Sequence, residues 1–214
     1  MCNLYSITSS QEAIGRAFRV MHDRSGNLPS LPAVFPDTLA PVVRESPDGG
    51  RELLMMRWGF PPPPNLGKAP VTNVRNLKSP YWCRWLKAEW RCLVPANSFC
   101  EWSGQSPKVP HWFALAENRP LFAFAGIWRQ WTGERRGATG EHHLFAFLTT
   151  EPNAIVRPIH AKAMPVLLTG ETEWNTWLSG PENEALALQR PLPAEALCIA
   201  ASGQKSDPAP ADQE

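Results

Sequence analysis

Behind the paired serines Ser9 and Ser10, the apolar residues Ile14, Ala17, Phe18 and Met21 recur at three- and four-residue spacing and predict a helix over 10–20. A loop rich in proline and glycine follows to Pro36. Short apolar, β-favouring runs then recur at 39–44, 52–60, 91–102, 111–116, 121–131, 144–150, 164–168 and 197–200, eight candidate strands in all. Ser79-Pro80 reads as a helix cap with proline at the first helical position, opening a helix that carries Trp82, Trp85, Leu86 and Trp90. Further helices are expected over 150–156, stopped near Pro158, and as two short surface helices at 171–178 and 182–189. Strands do not alternate regularly with helices, so the expected class is α+β, with a mostly antiparallel, barrel-like sheet and short peripheral helices.

The prolines at 61–64 cannot donate ladder hydrogen bonds and predict an extended loop. From Ser202 the chain holds too few apolar residues to pack, so 202–214 is expected to be a disordered tail behind one domain over 1–201. A chain of 214 residues buries roughly 70% of its surface and needs no disulfide or metal staple. Apolar runs stay far below the length of a bilayer span, and the start lacks the charged and apolar regions of a secretory signal. A reducing, cytoplasmic setting is the expectation.

Charge sharpens this picture. The net charge of +1 averages two unlike regions. Between residues 53 and 88 lie Arg57, Lys68, Arg75, Lys78, Arg84 and Lys87 with no acidic residue, interleaved with tryptophans; from 170 onward eight acids face two bases. Local potential rather than net charge steers ligands, so a polyanionic partner stays open beside the plainer reading of a solvated basic face. The five cysteines include no Cys-x-x-Cys pair, and no zinc-like spacing is present.

Cys2 carries the candidate chemistry. If Met1 is removed, one residue bears both an α-amine and a thiol. An α-amine titrates near about 7.7–8.0 against about 10.4 for lysine, so much more of it is neutral and nucleophilic near pH 7. It can condense with an aldehyde to an imine, on which the thiol closes a five-membered thiazolidine. Glu101 lies inside the apolar run Asn97-Ser-Phe-Cys-Glu-Trp102, as an edge residue or a functional acid whose burial would raise its pKa. His160 stands just before the apolar run at 164–168, with a structural role as the alternative to a catalytic one.

The ordered landmarks Met1-Cys2, Arg57-Trp58-Gly59, Asn73-Val-Arg75, Arg91-Cys-Leu-Val-Pro95, Phe99-Cys-Glu101-Trp102, Ala125-Gly-Ile-Trp128, Leu148-Thr-Thr150, Ile159-His160 and Met164-Pro-Val-Leu-Leu168 resemble the SOS-response-associated peptidase family, whose members are abasic-site processing proteins. The resemblance implies a domain that binds single-stranded DNA and crosslinks to an abasic site through Cys2 after removing its own Met1. By the same resemblance Asn73 orients the reacting groups, Glu101 is the acid-base residue and His160 assists proton transfer. Arg75, Lys162 and the basic stretch would hold phosphates, and Trp58 or the apolar segment 41–43 would stack on or wedge between bases. Single-stranded DNA with abasic sites is the expected partner, with no membrane, no cofactor and no metal; a monomer, associated with the nucleoid when bound to DNA, is expected. The chain departs from the family pattern at Asn3-Leu4, Asn76, Cys100 and His160-Ala-Lys-Ala-Met-Pro165, where Lys162 is the counterpart of an arginine. Two alternatives stay open: a cysteine peptidase acting on other chains, and a non-covalent single-stranded DNA-binding module.

Overall fold

The computed structural model describes residues 2–63, 67, 69–104 and 106–208. Five strands close into a barrel: β4 (Leu39–Glu45), β5 (Arg51–Trp58), β7 (Arg91–Ala96), β10 (Phe122–Arg135) and β11 (Ala138–Thr150). Pairing runs β5 to β4, β4 to β7, β7 to β10 and β10 to β11, all antiparallel. The ring closes through the parallel pairing of β11 with β5, Leu144 against Arg57 and Phe145 against Trp58. Closure removes the exposed edges on which open sheets aggregate. A second, antiparallel sheet stacks β14 (Cys198–Ser202), β9 (Pro110–Ala114), β8 (Ser98–Trp102), β1 (Tyr5–Ile7) and β3 (Leu31–Val34) in that order.

The apolar run expected over 91–102 is two strands, because Asn97 turns the chain from barrel to second sheet. Its side-chain oxygen accepts from the amides of Thr8 and Ser9, and its Nδ2 donates to the Arg119 carbonyl. The Asn97 corner thereby swings Glu101 away from the barrel wall and beside the N-terminal strand.

Trp58 ends β5 and Gly59 follows it. Gly59 has φ +122°, and a Cβ there would lie 2.5 Å from Pro70 Cβ, so both backbone conformation and space demand glycine. Inside the barrel Trp58 stacks on Phe145 and Phe147 and meets Tyr5 edge-on. Such aromatic pairs add about 0.5–1.5 kcal/mol beyond area burial.

Several elements differ from the sequence pattern. The helix near the start is α1 (Gln11–Ala17), capped by Ser10, whose hydroxyl accepts from the Ala13 amide. The expected loop to Pro36 holds β2 (Val20–Asp23) and β3; β3 tolerates Pro32 because it is the edge of its sheet. The helix expected after Ser79-Pro80 is two 3-10 turns, Cys83–Leu86 and Ala88–Trp90, separated by extended Lys87. Residues 154–159 form turns instead of a helix. The Asn153 side chain accepts from the Ile155 and Val156 amides, offering the backbone a local alternative. The helices α2 (Glu171–Ser179) and α3 (Glu182–Ala187) pack on the barrel: Trp177 is fully buried and donates to the carbonyls of Cys92 and Gly126.

Residues 61–63 lie outside regular secondary structure, whereas Pro64 and Lys68 fall outside the described residues, as do 209–214. The loose tail expected from Ser202 is corrected over 202–208: Ser202 ends β14, and Asp207 is buried and ion-paired to Arg119. The pattern missed it because a charged residue in a proline-containing tail packs only when a distant counter-ion and hydroxyls receive it. No helix among the described residues is long and apolar enough to cross a membrane.

Candidate active site

Four of the residues singled out by sequence converge where the barrel meets the second sheet. Cys2 precedes β1, which pairs with β8 in the register Tyr5 to Phe99 and Ser6 to Ser98. The Cys100 amide donates to the Leu4 carbonyl at 2.9 Å, so the run leading back to Cys2 lies along the strand carrying Glu101. Asn73 arrives from the far side on β6 (Asn73–Val74), a two-residue strand parallel to β11. His160 comes from the turn before β12 (Met164–Pro165).

Cys2, Asn73 and Glu101 are all buried. Asn73 Nδ2 donates to the Cys2 carbonyl at 2.9 Å and to Thr72 Oγ1 at 2.7 Å, and Thr72 donates onward to the Asn3 side chain at 3.2 Å. This relay fixes the backbone of Cys2 without adding a charge. The Cys2 thiol donates weakly to the Leu4 carbonyl at 3.5 Å. Burial, reinforced by the charge of Glu101, pushes the thiol well above its ordinary pKa, so the resting group is a neutral thiol.

Burial also raises Glu101 to about 7, which divides it between acid and base near neutrality. His160 Nε2 lies 3.9 Å from Glu101 Oε2. The ring's Nδ1 is 2.8 Å from the Ala163 carbonyl, and a carbonyl can only accept, so Nδ1 carries the proton and Nε2 faces the carboxyl with its lone pair. Desolvation lowers the His160 pKa and favours that neutral ring.

Among the described residues, Glu101 Oε1, Asn73 Oδ1, Thr149 Oγ1 and Tyr5 Oη are buried without a hydrogen-bond partner. Leaving such atoms unmatched costs about 1–3 kcal/mol each, a cost that a polar ligand making those bonds would relieve. Thr72 was missed by sequence reasoning, and no signal in the chain singles it out, since its role exists only through the fold. Beside the cluster opens a cavity of about 1070 Å³, lined by Glu101, Trp102, Lys108, Arg157, His160 and Lys162 among others.

The remaining expectations fare unevenly. Lys162 lies on the cavity rim and Arg75 is exposed, 3.8 Å from Glu151. The stacking role expected of Trp58 is corrected: the indole is 0% exposed and its Nε1 donates to the Thr72 carbonyl, so no base can reach its face. The segment 41–43 is likewise inside β4 and buried, whereas Phe35 and Leu39 are the large apolar side chains left exposed just before it in sequence. The basic stretch is not one face: Arg57 donates to the Asp37 carbonyl, Lys87 pairs with Glu182, and Arg84 lies over Trp85. Among the described residues no group of three or more His, Cys, Asp or Glu side chains is placed to hold a metal ion.

Residues 1–203 match the family model of the SOS response associated peptidase, SRAP. Two relatives from Bacillus subtilis strain 168, the abasic site processing proteins YoqW and YoaM, are each 33% identical, over 144 and 146 residues. These stretches cover 64% of this chain; the chain spans 61% of YoqW and 60% of YoaM. Among solved structures, a protein from Bordetella bronchiseptica has TM-score 0.74 at 23% identity, covering 94% of this chain and 98% of its own. One from Bacteroides thetaiotaomicron has TM-score 0.69 at 21% identity, covering 94% and 90%. At these identities the two structures speak to the fold.

Proposed function

The chain belongs to the SOS response associated peptidase family, and on that premise we propose that it processes abasic sites in single-stranded DNA by forming a covalent thiazolidine crosslink through Cys2. The observation carrying this reading is the Cys2 backbone held by Asn73 beside a buried carboxyl with one unmatched oxygen and a pKa of about 7.

Hydrolysis of the Met1–Cys2 peptide bond frees the Cys2 α-amine, the self-cleavage to which the family name refers. The high thiol pKa then gives the order of events: the amine reacts first. It adds to the open-chain aldehyde of the abasic sugar to form a carbinolamine. Protonated Glu101 supplies the proton with which the hydroxyl leaves as water, giving an iminium cation; the carboxylate so formed, with His160 Nε2 beside it, takes the thiol proton as sulfur adds to the iminium carbon and leaves the ring nitrogen as a neutral amine. One water leaves and one ring forms. The crosslink shields the lesion from strand cleavage. Lys162 and Arg75 hold phosphates of the strand.

Intact mass spectrometry before and after incubation with single-stranded DNA carrying an abasic site tests the reading. Loss of Met1 and a heat-stable adduct absent from Cys2→Ala are expected. An adduct that persists in Cys2→Ala, or a salt-sensitive gel shift with no adduct, overturns the covalent mechanism; steady multiple turnover of peptides would point to a peptidase acting on other chains.

A further inference from the structure

Residues 204–208 lie just beyond the segment matched by the family model, and they strap the second sheet. The Gly203 amide donates to the Pro110 carbonyl, Trp112 Nε1 to the Gln204 carbonyl at 2.9 Å, and the Asp207 amide to the Pro32 carbonyl at 2.9 Å. Asp207 itself is 3% exposed. Its Oδ2 accepts from Ser6 Oγ at 3.0 Å and Ser98 Oγ at 2.5 Å, the two hydroxyls being 2.7 Å apart. Arg119 Nε reaches both carboxylate oxygens, at 2.8 and 3.0 Å, and supplies the compensating charge.

Ser6 and Ser98 are a register pair, so one carboxylate oxygen pins β1 directly to β8. β1 has only three residues, leaving few ladder bonds to hold its alignment. A slip by one residue would turn every side chain of such a strand to the other face. Ser6 stands four residues after Cys2, and Ser98 three before Glu101. At roughly 3.3 Å per residue the pin lies about 10–13 Å from each, too far to touch substrate and near enough to fix how the two strands lie.

We propose that Asp207 is a positioning residue: through the Ser6–Ser98 pair it locks the strand behind Cys2 against the strand bearing Glu101, so that residues 204–208 are part of the working site. The proposal rests on the reading of Cys2 and Glu101 as the reacting pair. A loosened register admits water to Glu101, whose perturbation comes from burial, and misplaces the amine relative to the carboxyl.

The test compares the unaltered protein with Asp207→Asn and the milder Ser6→Ala. It reads the Glu101 titration by carboxyl 13C NMR, and crosslinking to a single-stranded abasic oligonucleotide by intact mass. In Asp207→Asn the Glu101 midpoint is expected to fall by about one unit, and the maximal crosslinking rate about ten-fold, with half-saturating oligonucleotide changed less than about two-fold. Ser6→Ala moves both in the same direction, and it decides the matter should Asp207→Asn not fold. Variants that lose melting temperature while keeping the Glu101 midpoint and maximal rate overturn the proposal, leaving the strap a stability element. Absence of any adduct with the unaltered protein sinks the crosslinking reading instead, and the Glu101 titration still decides whether the strap sets its environment.

Discussion

Asn73 reaches across 71 positions of sequence to donate a 2.9 Å hydrogen bond to the main-chain carbonyl of Cys2. The bond holds the backbone and engages neither the thiol nor the nitrogen of that residue, the two groups to which the proposed crosslinking assigns the chemistry. It also identifies what the amide contributes: a donor without charge, bonded through Nδ2 both to Cys2 and to Thr72. Replacing it with a carboxylate would set an acceptor against the Cys2 carbonyl.

Asn73→Asp is therefore expected to be worse than Asn73→Ala. Each leaves the Cys2 carbonyl unmatched, and Asp adds repulsion, for a loss of about 1–3 kcal/mol in denaturant unfolding. Crosslinking rates should drop at least about ten-fold in both, because the nucleophile loses its orientation. Equal stability of the two variants would contradict this account.

Glu101→Gln removes the proposed proton carrier while keeping shape. A fall of about 10²–10⁴ in crosslinking rate is expected, together with loss of the inflection near pH 7. Stability carries a second signature. The unfolded carboxyl titrates near about 4.3, and the folded one holds its proton to about 7. The folded state binds the proton more tightly, so this stabilising contribution is complete below about pH 4 and is lost as pH rises through 7, up to about 4 kcal/mol. Melting of the unaltered protein should thus weaken between pH 5 and pH 8 more than that of Glu101→Gln; parallel curves would refute it.

Trp58 acts on stability rather than on DNA. Trp58→Ala should cost about 3–5 kcal/mol in chemical denaturation. Trp58→Phe, which keeps an aromatic in the barrel, should leave single-stranded DNA affinity within about two-fold. A large affinity loss in folded Trp58→Phe would restore the stacking role that its burial denies.

Lys162 and Arg75 are exposed cations, so each should contribute to DNA affinity through counterion release. Substituting either by alanine is expected to reduce the slope of log affinity against log salt by about 0.7. The Glu151 neighbour of Arg75 changes this little, since an exposed pair is worth about 0–1 kcal/mol. An unchanged slope in a titration from low to high salt would remove that residue from the DNA path.

The α+β class, the strand-rich body and the residue types of the candidate cluster were legible in the amino-acid sequence. Strand and cap signals are local, and Cys2, Glu101 and His160 each stand out from their neighbours chemically. It could not show the parallel closure of β11 on β5. Nor could it show the side of the barrel wall on which Trp58 lies, or that Arg57 is turned toward the Asp37 carbonyl. Those depend on pairings between segments distant along the chain. Asp207 is the clearest case: read locally it is a charge in a proline-containing tail, and only the tertiary structure brings Arg119, Ser6 and Ser98 around it. Periodicity reports which face of an element is apolar, whereas the burial of a charge is decided by partners that only the folded chain assembles.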